Sequence, residues 1–163
     1  MERGSARRRG GRVASAVLLA LVVSACVPAA GGGDDAAGTR WTVERVIDGD
    51  TVHARSSDGA EERVRVIGID SPERGECGFG PATGRMTDLV AGREVELVVA
   101  SRAARDRYDR LLAYVDVDGV DAGLTLVEEG LAVARYDSRD GYERHPREDR
   151  YVAADAAVEH VCR

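Results

Sequence analysis

Two short apolar runs in this chain each end in carboxylates. Asp48-Gly49-Asp50-Thr51 closes the run that begins at Trp41, and Asp70-Ser71-Pro72-Glu73 follows Arg65-Val66-Ile67-Gly68-Ile69. Runs of this length, rich in β-branched residues and separated by Asp/Gly turns, fold as strands rather than as helices. Carboxylates at strand ends suit a hard cation with oxygen ligands, and an arginine on the preceding strand suits a phosphate. Together they suggest metal-assisted phosphodiester chemistry. Taken alone, Asp48-Gly49-Asp50 also reads as an ordinary turn, because Asp and Gly are common there.

The same pattern continues along the chain. Trp41–Ile47, Thr51–Arg55 and Glu62–Ile69 read as strands, with Ser57-Asp58-Gly59 as the turn between the second and third. In the third, Val64 and Val66 alternate with Arg63 and Arg65, so the arginines are expected on the outward parity. Asp70 to Gly80 is a loop. Pro81 can occupy the first turn of a helix that runs to Val90 and stops at Gly92. Glu94–Ala100 and Leu111–Val117 are strand-like, Ala122–Glu129 is helical with Gly130 as its C-terminal cap, and Glu148 to Val161 is a last helix with Val152, Ala156 and Val158 as buried positions. Five strands in two blocks, with helices after the third and the fifth, fit an α+β chain built on a small Greek-key barrel.

A chain of 163 residues can bury one core, so a single folded domain is expected. Ahead of it stands a segment of another kind. Arg7, Arg8, Arg9 and Arg12 precede a short apolar stretch, Val13 to Ala25, in the manner of a secretory signal. Val23-Ser24-Ala25-Cys26 is similar to the bacterial lipobox, which makes Cys26 the lipidation site. The chain therefore divides into a signal peptide (1–25), a flexible tether (26–39) and the folded domain (40–163). The expected location is outside the cell, on the outer face of the membrane.

Every one of the 23 basic residues is arginine. Without the leader, 18 arginines face 28 acids, a net charge of −10. That weighs against a protein whose main task is to hold nucleic acid, since phosphate neutralisation supplies most non-specific affinity. It weighs less against an enzyme with a local cationic cleft. With Cys26 lipidated, Cys77 and Cys162 remain, and an even remainder in an exported domain favours a disulfide, with two free thiols as the alternative. His53, His145 and His160 have no metal-binding spacing, and His53 reads as a strand residue.

Four segments in order carry a family resemblance: Val46-Ile47-Asp48-Gly49-Asp50-Thr51-Val52, Arg65 through Glu73, Asp106-Arg107-Tyr108-Asp109-Arg110-Leu111-Leu112-Ala113-Tyr114, and Leu126-Val127-Glu128-Glu129-Gly130-Leu131-Ala132. From Trp41 onward the sequence resembles the staphylococcal nuclease (thermonuclease) family of calcium-dependent nucleases, which implies a five-stranded OB-type Greek-key β-barrel with about three helices. The resemblance implies a Ca2+ cofactor held by Asp50, Asp70 and the carbonyl of Ser71, with Asp48 and Thr51 supporting them. It implies phosphate-facing arginines at Arg65 and Arg110, and a carboxylate at Glu73 that takes a proton from the attacking water or orients it. Arg107, Tyr108 and Tyr136 match positions that contact the nucleotide. Asp109 departs from the pattern, which has glycine there; Asp tolerates the left-handed backbone but adds a negative charge beside the substrate.

The implied activity is endonucleolytic hydrolysis of DNA and RNA leaving 3′-phosphate ends, by a monomer with no protein partner. The competing readings are a non-catalytic OB domain that binds nucleic acid or another polyanion, and a calcium-stabilised surface domain. The full set of Asp50, Asp70, Glu73, Arg65 and Arg110 argues against the first, and the second is favoured only if the net charge of −10 excludes nucleic acid.

Overall fold

The structure is a computed structural model and describes residues 39–100 and 103–162. The leader, Cys26 and the tether up to residue 38 lie outside the described residues. Among the described residues no helix is long and apolar enough to cross a membrane.

Strands β1 (Arg40–Val46), β2 (Thr51–Ser56) and β3 (Glu61–Val66) form an antiparallel meander. After β4 (Ile69–Asp70) and helix α1 (Phe79–Val90), β5 (Glu94–Val98) returns beside β1, and β6 (Leu111–Val117) pairs with β5. The sheet then closes on itself where β6 lies parallel to β3, with Val64 opposite Leu111 and Val66 opposite Ala113. The result is a closed five-stranded mixed barrel of the OB type. Closure needs sharp local bending, and β1 supplies it with a bulge between Val43 and Arg45. β7 (Val120–Asp121) extends a hairpin from β6. Helix α2 (Ala122–Glu128), β8 (Val133–Ala134) and helix α3 (Glu148–Ala157) complete the chain.

Val43, Val52, Val64, Val95, Ala113 and Val115 fill the barrel, and Met86 and Val90 of α1 and Leu124, Leu126 and Val127 of α2 pack against it. These residues are almost all small or β-branched, which suits the tight interior of a five-stranded barrel. The expected third strand breaks early. It ends at Val66, Gly68 turns with φ 79°, and Ile69-Asp70 becomes β4, paired with β8 rather than with the barrel. Only glycine fits at 68, because a Cβ there would lie 2.6 Å from the His145 ring. The last helix also ends early, at Ala157 rather than Val161. Its buried face carries Glu148 and Tyr151, while Val152 and Val158 are half-buried and Ala156 is exposed. Tyr151 sets that phase by docking on Asp121, its hydroxyl donating to the carboxylate at 2.8 and 2.9 Å.

His145 sits buried between Tyr114 and Tyr151. Its Nδ1 is 2.6 Å from the Tyr114 hydroxyl, and its Nε2 has no protein partner. Burial holds the imidazole below its ordinary value of 6.5, aided by Arg144 and opposed by Glu148, Asp137 and Asp121. The folded state therefore binds this proton more weakly than the unfolded chain does. Its contribution is level above about pH 7.5, and stability falls as the pH drops through 6.5 toward the folded value, by at most about 1.4 kcal/mol per pH unit. Urea midpoints of wild type and His145→Gln between pH 8 and 5 check this; the difference between the two should depend on pH only below about 7.

Candidate active site

The β1–β2 connection and the segment after β3 meet at Asp50. Gly49 permits this, since a Cβ there would come 2.7 Å from the Cβ of Ser71. Asp50 is only 4% exposed and is surrounded by donors. The Ser71 N–H and hydroxyl donate to its Oδ2 at 2.9 and 3.0 Å, and the Thr51 hydroxyl donates to Oδ1 at 3.1 Å. Asp48 accepts the Asp50 N–H at 3.0 Å, so the segment is a turn and a carboxylate cluster at once.

Arg65 is buried despite its outward parity on β3, at 8% exposed. Its Nε lies 3.2 Å from Asp50, its Nη2 3.6 Å from Asp70, and its Nη1 donates to the Val66 carbonyl at 2.7 Å. Tyr136 covers it, with the guanidinium carbon 5.3 Å from the ring centroid and the hydroxyl donating to Asp70 at 3.2 Å. Tyr136 has φ 60°, an uncommon conformation for a bulky residue, held by its N–H bond to Asp140 at 2.8 Å.

Burial raises the Asp48 carboxyl above the usual range, and the neighbouring Asp50 and Glu73 add to it. Burial also raises Asp70, which Arg65 opposes and Asp50 reinforces. The cluster thus holds more negative charge than Arg65 compensates, and its donors are all oxygen, the chemistry of a hard cation. Among the described residues no three His, Cys, Asp or Glu side chains make a metal site by themselves. A cation at Asp50 and Asp70 would therefore need main-chain oxygen and water as well, which calcium accepts.

The second arginine arrives from the loop before β6. Asp106 organises that loop, accepting the N–H groups of Tyr108 and Arg110 at 2.9 and 3.0 Å and the Arg110 Nε at 2.7 Å. Although burial works the other way, the hydrogen bonds from Arg110 and Tyr108 hold its carboxyl below the usual range. Asp109 has φ 61°, the left-handed backbone expected at the position where the resemblance has glycine. Two guanidinium groups pack on the Tyr108 ring, their central carbons 4.7 Å (Arg107) and 5.5 Å (Arg110) from its centroid.

One cleft of about 800 Å³ gathers Arg65, Glu73, Arg107, Tyr108, Arg110 and Tyr136. Glu73 stands exposed at its mouth and also borders a neighbouring groove with Asp48 and Thr51. Two participants carried no expectation from the sequence. Asp106 was legible in principle, as an acid accepting from the second residue on and four residues before an arginine. Tyr142 reaches the cleft wall edge-on to Tyr136, with ring centroids 5.5 Å apart, and no spacing announces it. Asp106→Ala removes three bonds to the loop that aims Arg110. It should cost about 1–3 kcal/mol and lower kcat with little change in fold, as thermal melts and cleavage rates will show.

Cys77 and Cys162 are joined, with Cα atoms 5.7 Å apart. The bond ties the Ser71–Gly78 loop, which carries Glu73, to the end of the chain.

Comparison with known proteins agrees with this geometry. The family model described as staphylococcal nuclease homologue matches residues 63–158, from within β3 to the end of α3. The chain is 34% identical over 122 residues to the thermonuclease of Staphylococcus intermedius, covering 72% of this chain and 67% of that protein. It is 38% identical over 101 residues to endonuclease YncB of Bacillus subtilis, covering 58% of this chain and 47% of the relative. The thermonuclease of Staphylococcus hyicus is 32% identical over 101 residues, 59% of each chain. The matches thus span between about half and two thirds of these relatives. On the strength of the matched barrel and of relatives above 30% identity, this chain belongs to the staphylococcal nuclease homologue family.

Proposed function

We propose that the chain is a calcium-dependent nuclease that hydrolyses phosphodiester bonds of DNA and RNA at the outer face of the cell membrane. The observation that carries this reading is the single cleft in which Arg65, Arg110 and Glu73 converge beside the acids Asp50 and Asp70. A binding module has no use for an exposed carboxylate in the same cleft as two guanidinium groups, since it repels the ligand.

Asp50, Asp70 and the Ser71 carbonyl would hold the calcium, which neutralises charge on the phosphate and polarises it when bound. Arg65, fixed by three partners, pairs a non-bridging oxygen and strengthens its hold as charge builds on five-coordinate phosphorus. Arg110, aimed by Asp106, takes another. Glu73 accepts the proton of the attacking water or orients it. As the new P–O bond forms, the P–O5′ bond breaks and the departing oxygen takes a proton from solvent, leaving a 3′-phosphate and a 5′-hydroxyl. Arg107, Tyr108 and Tyr136 position the nucleotide. The apolar leader and the lipobox at Cys26 support export and lipid anchoring, and the Cys77–Cys162 bond suits an oxidising compartment.

Cleavage in oxygen-18 water tests the reading. The label should appear in a terminal 3′-phosphate, chelator should abolish the reaction, and Glu73→Gln should slow it by about 10²–10⁴-fold. Wild type that binds oligonucleotide without cleaving it in calcium would leave only the non-catalytic alternative.

A further inference from the structure

Charge pairing is unevenly distributed on this protein. Of the sixteen arginines among the described residues, eleven are ion-paired to carboxylates. Arg45, Arg63, Arg74, Arg107 and Arg150 are not. In a domain with a surplus of acids, unpaired arginines are the informative ones. Three of the five line two adjoining hollows: Arg107 the active-site cleft, and Arg45 and Arg63 a neighbouring groove of about 510 Å³. Glu73, Tyr108 and Arg110 belong to both, so the groove continues the cleft.

The strand register makes the groove a built feature. Arg45 of β1 stands opposite His53 of β2, and His53 stands opposite Arg63 of β3, so the three form one row across the sheet. Arg45 Nη2 is 3.4 Å from His53 Nδ1, and Arg63 Nη2 donates to the Tyr108 carbonyl at 2.9 Å, fastening the row to the cleft wall. Another arginine of β2 shows the contrast. Arg55 is flanked by Glu44 of β1 and Glu61 of β3 and bonds both, as stable cross-strand pairing requires. Arg45-His53-Arg63 has no such compensation. Burial and the fields of Arg45 and Arg63 hold the His53 imidazole below its ordinary value, against the weaker pull of Glu61 and Glu44.

We propose that the Arg45-His53-Arg63 row is a second phosphate subsite, which carries the backbone of a single-stranded nucleic acid out of the cleft and across β1–β3. The inference rests on the nuclease reading of the adjoining cleft. Two arginines flanking one histidine, neither of them paired to a carboxylate, are unfavourable in the free protein and become favourable against a polyanion, even with Asp48 and Glu73 lining the same groove. A single strand rather than a duplex is implied by Tyr108 and Tyr142, 56% and 57% exposed at the cleft, whose faces can stack only on unpaired bases. The row also answers how an acidic domain, with 18 arginines against 26 acids from Arg40 on, holds its substrate: affinity is local, at arginines that no carboxylate pairs.

Fluorescence anisotropy of labelled dT3 and dT10 with the full chain in chelator, over a series of salt concentrations, tests this. dT3 fills the cleft alone, whereas dT10 reaches the row, so wild type should bind dT10 at least about 10-fold more tightly. Arg45→Ala and Arg63→Ala should each weaken dT10 by about 5–10-fold, shrink the advantage of dT10 over dT3, and lower the salt slope by about 0.7. Arg150→Ala, with the same change in net charge on α3, should do none of these. The proposal is overturned if wild type shows no length dependence, or if Arg150→Ala matches Arg45→Ala. Cleavage of dT10 in calcium, run alongside, separates the two claims. Length-dependent binding without cleavage sinks the hydrolase reading and keeps the subsite, and cleavage without length dependence does the reverse.

Discussion

Arg65→Ala is expected to lower the cleavage rate by about 10²–10³-fold, and in chelator to destabilise the fold by about 2–4 kcal/mol. The two effects have one cause. Arg65 is the cation in contact with both Asp50 and Asp70, and Asp50 is almost fully buried. Removing the guanidinium leaves two carboxylates facing each other in a site where burial already raises Asp70. The bonds that Asp50 accepts from Ser71 and Thr51 keep the loss below that of an unsupported buried charge. Calcium should therefore raise the Tm of Arg65→Ala more than that of wild type, because it supplies the missing positive charge, while the lost phosphate contact keeps the rate low. Denaturant midpoints with calcium and with chelator, together with single-turnover rates, check both halves. A variant whose stability calcium does not restore would mean that the acid cluster does not take the cation.

Reduction of the Cys77–Cys162 bond should have the largest effect on stability. The bond spans a sequence separation of 85 residues, and the chain-entropy model gives roughly 4–5 kcal/mol for a loop of that size. For a domain of this length the Tm should fall by about 10–20 °C. Cleavage should slow as well, below the melting range, because Glu73 sits on the loop that the bond anchors. At 78, where the chain turns into α1 with φ 90°, a Cβ would already meet Pro72 at 3.0 Å and Cys162 Sγ at 3.5 Å, so loop and tail are packed as one unit. Wild type in reductant and the Cys77→Ser/Cys162→Ser variant should agree with each other. Unchanged Tm and rate in both would show that the bond is not formed in solution.

Much of this architecture is written locally in the chain. The five barrel strands are apolar runs between clear turns, and the structure forms four of them within two residues of the expected bounds, the third ending three residues short. The acids at strand ends were legible for the same reason: a strand end fixes where the next side chain goes. Properties set by distant partners were not. Parity places Arg65 outward with Arg63, yet Asp50, Asp70 and Tyr136 bury the first while the second stays exposed. Strand β4 exists because β8, over sixty residues later, pairs with it. The phase of α3 follows from Tyr151 docking on Asp121 rather than from the helix's own weak apolar stripe. The Arg45-His53-Arg63 row needs the register of three strands at once, including the β1 bulge that brings Arg45 opposite His53.

The initial rate of cleavage of a single-stranded oligonucleotide, followed as free calcium is raised from chelated to millimolar, tests the central claim most directly. No measurable rate is expected in chelator, with a saturable rise with calcium in wild type and a curve displaced to higher calcium for Asp70→Asn. A rate in chelator equal to that in calcium, or an Asp70→Asn curve that superimposes on wild type, would contradict it.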